Sequence, residues 1–227
     1  ASYVFHDVCL QNLPVIFCAD RAAVVPDGPT HHGIQDIGFW RCCPGLAVLQ
    51  PADGEDLAVM LDHAIQKKVP TIIRYPKADA SRLQRQGTSV LEWGKAETVR
   101  EGKDLALWCV GRETVRGLAI ADTLADEGIK ATVINTRFLA PFDDTLLKQH
   151  AAAMPVVTLE DHYIQGGFAS IVNDTLSCGR QSRVLNCGYP LEVIPWGSVS
   201  DIRRKYGLET DQLSERIRDF VKASGSV

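Results

Sequence analysis

The chain lacks the features that would mark a polyanion-binding or membrane-spanning protein. It has no run of Lys and Arg, and its net charge is −4 with a pI near 5.9, so no electrostatic footprint for nucleic acid is expected. No apolar stretch reaches the ~18–20 residues that cross a bilayer. No cleavable leader is read at its start, so the expected compartment is the cytoplasm, or a plastid stroma if it comes from a plant or alga. The seven cysteines include no CxxC pair; they read as small buried hydrophobes in a reducing compartment, not as a disulfide framework. There is no GxGxxG, no internal repeat and no low-complexity segment. What remains is the composition of a soluble globular protein, 45% hydrophobic and 23% charged over 227 residues, enough for one large or two ordinary domains. The first apolar pattern, Tyr3, Val4, Val8 and Cys9, is helix-like but has no N-cap before it. That predicts a piece cut from a longer chain.

Along the chain, an α/β rhythm predicts mostly parallel sheets. Residues 13–19 form an apolar run that reads as a strand covered on both faces. Residues 46–49 and 69–75 are further strands, separated by a helix that Asp53 caps and that ends at Lys68, with Leu57, Met60, Leu61, Ala64 and Ile65 on one face. Residues 77–92 lose this pattern and mark the best domain boundary. The segment 93–99, before a turn at 100–103, reads as one arm of a hairpin whose other arm is the strand beginning at 104. Strands at 104–111, 131–135, 156–159 and 184–187 then alternate with helices at 113–127, 141–150 and 168–177, and an amphipathic helix at 211–223 closes the chain. The expected organisation is a domain over 1–80, a linker and hairpin arm over 81–103, and a second domain over 104–227.

One stretch has no helical or strand period. Residues 20–33 pack Asp20, Arg21, Asp27, Gly28, His31, His32 and Gly33 between two prolines and a threonine, and they leave the carboxyl end of a strand, where ligands of open α/β sheets sit. Arg21 carries a planar fork of donors suited to phosphate or carboxylate. His31 and His32 can donate or exchange protons near neutral pH, and Asp27 can orient a His or hold a polar group. Adjacent histidines in an extended loop point apart and no further ligand occurs at metal spacing, so a metal pair is not expected. Arg74 and Lys77 end a strand at the same edge and can add positive charge there. The run Glu160-Asp161-His162 before Gly166-Gly167 does not meet the dinucleotide fingerprint; it reads as a strand-end turn into a helix.

These residues resemble a known family. The stretch from Asp20 to Gly33, then Arg41-Cys42, Gln50-Pro51-Ala52-Asp53, Arg74-Tyr75-Pro76, Arg137-Phe138-Leu139-Ala140-Pro141 and Leu159-Glu160-Asp161 with Gly166-Gly167-Phe168, are similar to the 1-deoxy-D-xylulose-5-phosphate synthases of the transketolase superfamily. The resemblance implies two three-layer α/β domains: part of a pyrimidine-binding domain and a transketolase C-terminal domain. It implies a thiamine-diphosphate- and Mg2+-dependent homodimer that decarboxylates pyruvate and joins the two-carbon unit to glyceraldehyde 3-phosphate. The product, deoxyxylulose 5-phosphate, supplies isoprenoid, thiamine and pyridoxal precursors.

Carried over by position, Arg21 and Lys77 would hold the aldehyde's phosphate, and His31 would assist proton transfer with Asp27 beside it. Lys77 stands where the family has Arg, and the loop between Arg21 and Asp27 is one residue short of the family pattern. The family's catalytic Glu, its ring-stacking aromatics and its diphosphate- and magnesium-binding domain are expected upstream of residue 1. No cofactor-binding or metal residue is therefore assigned within the chain, which alone is expected to be inactive and to need the missing N-terminal part. The alternatives are a split transketolase-like subunit, the β subunit of a 2-oxo acid dehydrogenase, or a non-catalytic dimerisation module.

Overall fold

The structure, a computed structural model, describes residues 2–78, 82–83, 90–178 and 182–223. Of the segment 77–92, where the pattern is lost, residues 79–81 and 84–89 lie outside the described residues. An α-helical turn, α1 (Ser2–Val4), runs into a π-helical turn over Phe5–Cys9. Strand β1 (Ile16–Ala19) leads into the aperiodic loop, followed by α2 (Asp36–Arg41), β2 (Ala47–Leu49), α3 (Gly54–Lys67) and β3 (Thr71–Arg74). The second half contributes β4 (Glu97–Arg100), β5 (Leu105–Cys109), α4 (Glu113–Asp126), β6 (Ala131–Asn135), β7 (Phe138–Ala140), α5 (Asp144–Ala153), β8 (Val156–Tyr163), α6 (Phe168–Leu176), β9 (Val184–Tyr189), α7 (Val199–Lys205) and α8 (Thr210–Lys222).

Two mixed, mostly parallel sheets organise these elements, ordered β1-β3-β2-β7 and β4-β6-β5-β8-β9. Every residue of β2, β3, β5 and β6 is buried, as expected of strands covered on both faces. The α3 helix starts where predicted: the Asp53 carboxylate accepts from the Asp56 N–H at 2.8 Å, and Lys68 closes it in the left-handed conformation.

Four local expectations are corrected. β1 is not covered on both faces; it is the edge of its sheet, and Cys18 on it is exposed. Leu61 and Ile65 of α3 are exposed, while Met60 and Ala64 are buried. The predicted hairpin arm is not a hairpin: β4 pairs antiparallel with β6 and not with β5, the next strand in the chain. Strand β7 went unread because it is three residues long, and it crosses to the first sheet, pairing antiparallel with β2. The two halves are therefore stitched through one sheet. Of the cysteines, Cys9, Cys43, Cys109 and Cys187 are buried, and Cys18, Cys42 and Cys178 are exposed.

A buried polar cluster reinforces that stitch. Arg137 from the β6–β7 turn pairs with Asp56 of α3 at 3.0 Å and with Glu97 of β4 at 2.8 Å, and Asn135 donates to the same two carboxylates at 2.7 and 3.1 Å. Arg137 sits in the left-handed region at φ +56°, a conformation a non-glycine residue holds only where its surroundings fix it.

Candidate functional site

The aperiodic loop begins where β1 ends and is fastened to the neighbouring strand by Ala22, whose N–H donates to the Tyr75 carbonyl at 3.0 Å. It folds back on itself at Gly33, which bridges Ala22 and Ala23. A Cβ at Gly33 would overlap the Arg21 carbonyl oxygen, so only glycine permits this approach. Gly28 adopts φ +95° at the turn, with Trp196 of the second half packed beside it.

Three further contacts hold the loop from below and from the second domain. Arg74 is the deepest. Its guanidinium is 1% exposed, donates to the Gly33 carbonyl at 2.8 Å and to the Gln50 side chain, and lies 3.4 Å from the Asp36 carboxylate. Burial pulls its pKa down and Asp36 opposes that shift. His32 is buried as well: its Nδ1 accepts from the Val25 N–H at 3.0 Å, so Nε2 carries the proton and donates to the Pro195 carbonyl at 3.2 Å. Asp161, at the end of β8, accepts from the Val24 N–H at 3.5 Å and from Arg203, which also pairs with the buried Glu113 at 3.0 Å.

A parallel joint lies under α2 and α6. His162 Nε2 accepts from the Ile37 N–H at 3.1 Å, and Nδ1 donates to the Tyr163 carbonyl at 2.9 Å. Burial, with Arg74 nearby, pushes this imidazole down to about 3. Glu160 accepts from the Phe168 and Ala169 N–H groups at 2.6 and 2.7 Å, the free donors at the start of α6. Burial nonetheless raises its carboxyl to about 8, against those two bonds and Arg74. The Glu-Asp-His run is therefore not the turn that the sequence suggested: it lies inside β8, which extends to Tyr163, and residues 164–167 make the turn into α6.

The predicted site residues occupy the loop and its rim. Arg21 lies at the loop's start in the left-handed region, with its guanidinium on the Asp20 carboxylate and its Nε buried without a partner. Lys77, two residues beyond Tyr75, pairs with Asp27 at 3.3 Å, both exposed. Asp27 therefore meets Lys77, and the His31 ring shares a 3.0 Å hydrogen bond with the Thr30 hydroxyl and is exposed. Between the loop, Lys77 and the second domain lies a cavity of about 400 Å³, lined by Lys77, Gln50, Arg112, Glu113, Asp161 and Arg203, with the backbone of residues 22–25 on one wall. Of the predicted site residues only Lys77 is among its lining; Arg21, Asp27 and His31 are not.

Sequence reasoning missed Asp161, Arg203, Glu113 and the buried role of Arg74. Only the position of Asp161 at a strand's carboxyl end hinted at the first. Among the described residues no group of three or more His, Cys, Asp and Glu is placed to hold a metal ion. No helix among the described residues is long and apolar enough to cross a membrane.

With this geometry in place, the family is clear. Residues 1–81 match the transketolase pyrimidine-binding domain and residues 94–213 the transketolase C-terminal domain. The chain belongs to the transketolase family, whose pyrimidine-binding domain marks thiamine-diphosphate dependence. Within it, the chain is similar to 1-deoxy-D-xylulose-5-phosphate synthases. It is 38% identical to that of Acidobacterium capsulatum, over 97% of this chain and 36% of the relative. It is 40% identical to synthase 1 of Geobacter metallireducens, over 96% of this chain and 36% of the relative. The chain thus spans about a third of the length of these relatives, at their C-terminal end. Among solved structures, a split-gene transketolase described as an inactive β4 tetramer superposes with TM-score 0.88 and 26% identity, covering 97% of this chain and 71% of that one.

Proposed function

We propose that this chain forms the phosphate-binding and proton-transfer side of a synthase that condenses pyruvate with glyceraldehyde 3-phosphate to 1-deoxy-D-xylulose 5-phosphate, releasing carbon dioxide. The observation that carries this reading is the 38–40% identity to such synthases over nearly the whole chain, with Arg21, Asp27 and His31 on the aperiodic loop and Lys77 paired to Asp27. Arg21 offers two parallel N–H donors to a phosphate. Lys77 adds a point charge, which Asp27 aims from 3.3 Å. His31, exposed on the same loop, is free to exchange a proton with the oxygen of a reacting carbonyl. The cofactor and its Mg2+ are left to a polypeptide equivalent to the relatives' preceding part, and the complete enzyme is read as a homodimer in the cytoplasm or a stroma.

The test combines this chain with that preceding part and assays condensation of the two substrates. Arg21→Ala is expected to weaken the phosphorylated substrate by about 1.5–3 kcal/mol, read as a higher KM. His31→Ala is expected to slow turnover by roughly 10²–10⁴. Unchanged kinetics in either variant would remove that residue from its role. The likeness to a split-gene transketolase favours a second reading, a transketolase-like subunit that works with a separate chain. A reconstituted pair that uses a ketose phosphate as two-carbon donor and ignores pyruvate would establish it.

A further inference from the structure

The second sheet divides at its centre. Strand β5 runs through α4 to β6 on one side, while β8, its parallel neighbour on the other side, runs through α6 to β9. Residues of β5 alternate between the two faces. Leu105 and Leu107 share a core cluster with Ile120 and Leu124 of α4, and Ala106 and Trp108 share another with Phe168 and Val172 of α6. The two connections thus leave neighbouring strands in opposite directions. A crevice opens between them at the carboxyl ends of β5 and β8, where open α/β sheets take their ligands. The cavity of about 400 Å³ lies there, between Val110, Arg112 and Asp161 of the second half and Gln50 and Lys77 of the first. Its size is that of a small-molecule site.

Most polar groups around the cavity are already engaged. Arg203 holds the carboxylates of Asp161 and Glu113 at 2.5 and 3.0 Å, and Arg116 holds Glu113 as well, at 2.5 Å. The start of α4 is closed too. The N–H groups of Glu113, Thr114 and Val115 donate to the carbonyls of Val110, Gly111 and Arg112, and the buried Glu113 puts its own negative charge in that first turn. An anion is therefore not drawn to this helix end as a dinucleotide's pyrophosphate is. Two donors stay uncommitted. Arg74 can only donate, so the oxygen of the Gln50 carboxamide accepts from it, and the NH2 group of Gln50 has no partner among the described residues. Gln50 is 7% exposed, and its NH2 nitrogen stands over Gly111, where a Cβ would come within 2.6 Å of it. A donor so deeply buried gains most from an acceptor that a ligand brings. The second donor is the exposed Arg112 guanidinium, which also has no partner among the described residues.

We infer that the crevice between β5 and β8 is a ligand site of the second half, which takes a small phosphate monoester on the Arg112 guanidinium and the Gln50 NH2 group. Arg112 supplies a planar fork of donors for the phosphate. Donors from two separate elements call for oxygens in several directions, which a phosphate has and a planar carboxylate lacks. Lys77, engaged with Asp27, adds positive charge from the side. The rest of the wall, Val24, Val25, Val110 and Val199 with the Ser200 hydroxyl, suits a short hydroxylated carbon chain. Arg21, Asp27 and His31 do not line this cavity. The inference therefore stands whether or not the aperiodic loop carries the chemistry proposed for it.

The test titrates glycerol 3-phosphate into the isotope-labelled full chain at constant sodium chloride, and follows the Gln50 side-chain NH2 pair and the Gly111 amide by NMR. Saturable shifts of both are expected, and glycerol at the same concentrations is expected to shift neither. Arg112 is exposed and its side chain caps no helix bond, so Arg112→Ala leaves the fold in place. That variant is expected to raise the dissociation constant about tenfold or more, and Arg112→Lys to recover part of the loss. Arg21→Ala, outside the cavity, is expected to change it by no more than about twofold. Absence of a saturable shift at Gln50 overturns the inference, and so do equal shifts with glycerol. Binding that Arg21→Ala removes and Arg112→Ala spares puts the phosphate on the aperiodic loop and overturns it as well.

Discussion

Replacing Arg74 with Met is expected to destabilise the protein by about 3–5 kcal/mol, lowering the urea midpoint by about 1–2 M. Methionine matches the length and apolar bulk of the side chain, so the loss is electrostatic and not a cavity. What it leaves behind decides the size. The Gly33 carbonyl and the Gln50 side chain lose their buried donor, and the Asp36 carboxylate, about three-quarters buried, loses its cation. Each stranded acceptor costs about 1–3 kcal/mol. Arg74→Lys keeps the charge but reaches only one of the three acceptors, so it is expected to recover less than half of the loss. Because Gly33 closes the aperiodic loop on Arg21, amide exchange across residues 22–33 should accelerate in Arg74→Met before the core opens. A midpoint unmoved by Arg74→Met would show that Asp36 and Gln50 find water instead, and that the loop is held by His32 and Asp161 alone.

This arginine marks the boundary of what the sequence discloses. The strands and helices with strong apolar period were legible: β2, β3, β5, β6, α3, α4 and α6 lie within a residue or two of expectation, because burial on both faces of a strand or one face of a helix leaves a direct trace in residue order. The aperiodic loop was legible as a segment without helical or strand period, but the burial of His32 within it, between Val25 and Pro195, was not. What escaped detection depends on partners far apart in the chain. Arg74 read as a strand-end charge beside Lys77, and its burial became visible only with Gly33 and Gln50 brought to it. Strand β7 is too short to show a period, and it joins the sheet of the other half. Leu61 and Ile65 were assigned to the buried face by their spacing, yet both are exposed.

Glu160 and His162 lead to the second large effect, a stability that falls on both sides of a plateau. The carboxyl of Glu160 rises from 4.5 to about 8 in the folded chain, chiefly by burial. The native state therefore holds a proton that the unfolded state releases above about pH 4.5, and stability declines as pH rises from there to about 8. His162 has the opposite sign. Its imidazole falls from 6.5 to about 3 by burial, helped by Arg74, so the unfolded state binds the extra proton and stability declines as pH falls from about 6.5 towards 3. Between pH 4.5 and 6.5 the two slopes oppose each other. From pH 6.5 to 8 only Glu160 acts, with a slope of at most about 1.4 kcal/mol per pH unit. Urea midpoints at pH 5.5, 7 and 8 are expected to fall through the series in the native sequence. In Glu160→Gln that alkaline fall should vanish. The amide cannot accept from both Phe168 and Ala169, so this variant should start about 1–3 kcal/mol lower at pH 5.5. Arg74 lowers both pKa values, so Arg74→Met should extend the Glu160 slope to higher pH and shorten the His162 acid limb from its acid end, its onset near pH 6.5 unchanged. Native midpoints that stay level from pH 6.5 to 8, or a Glu160→Gln variant that keeps the slope, would mean that the two α6 N–H groups hold Glu160 as a carboxylate throughout.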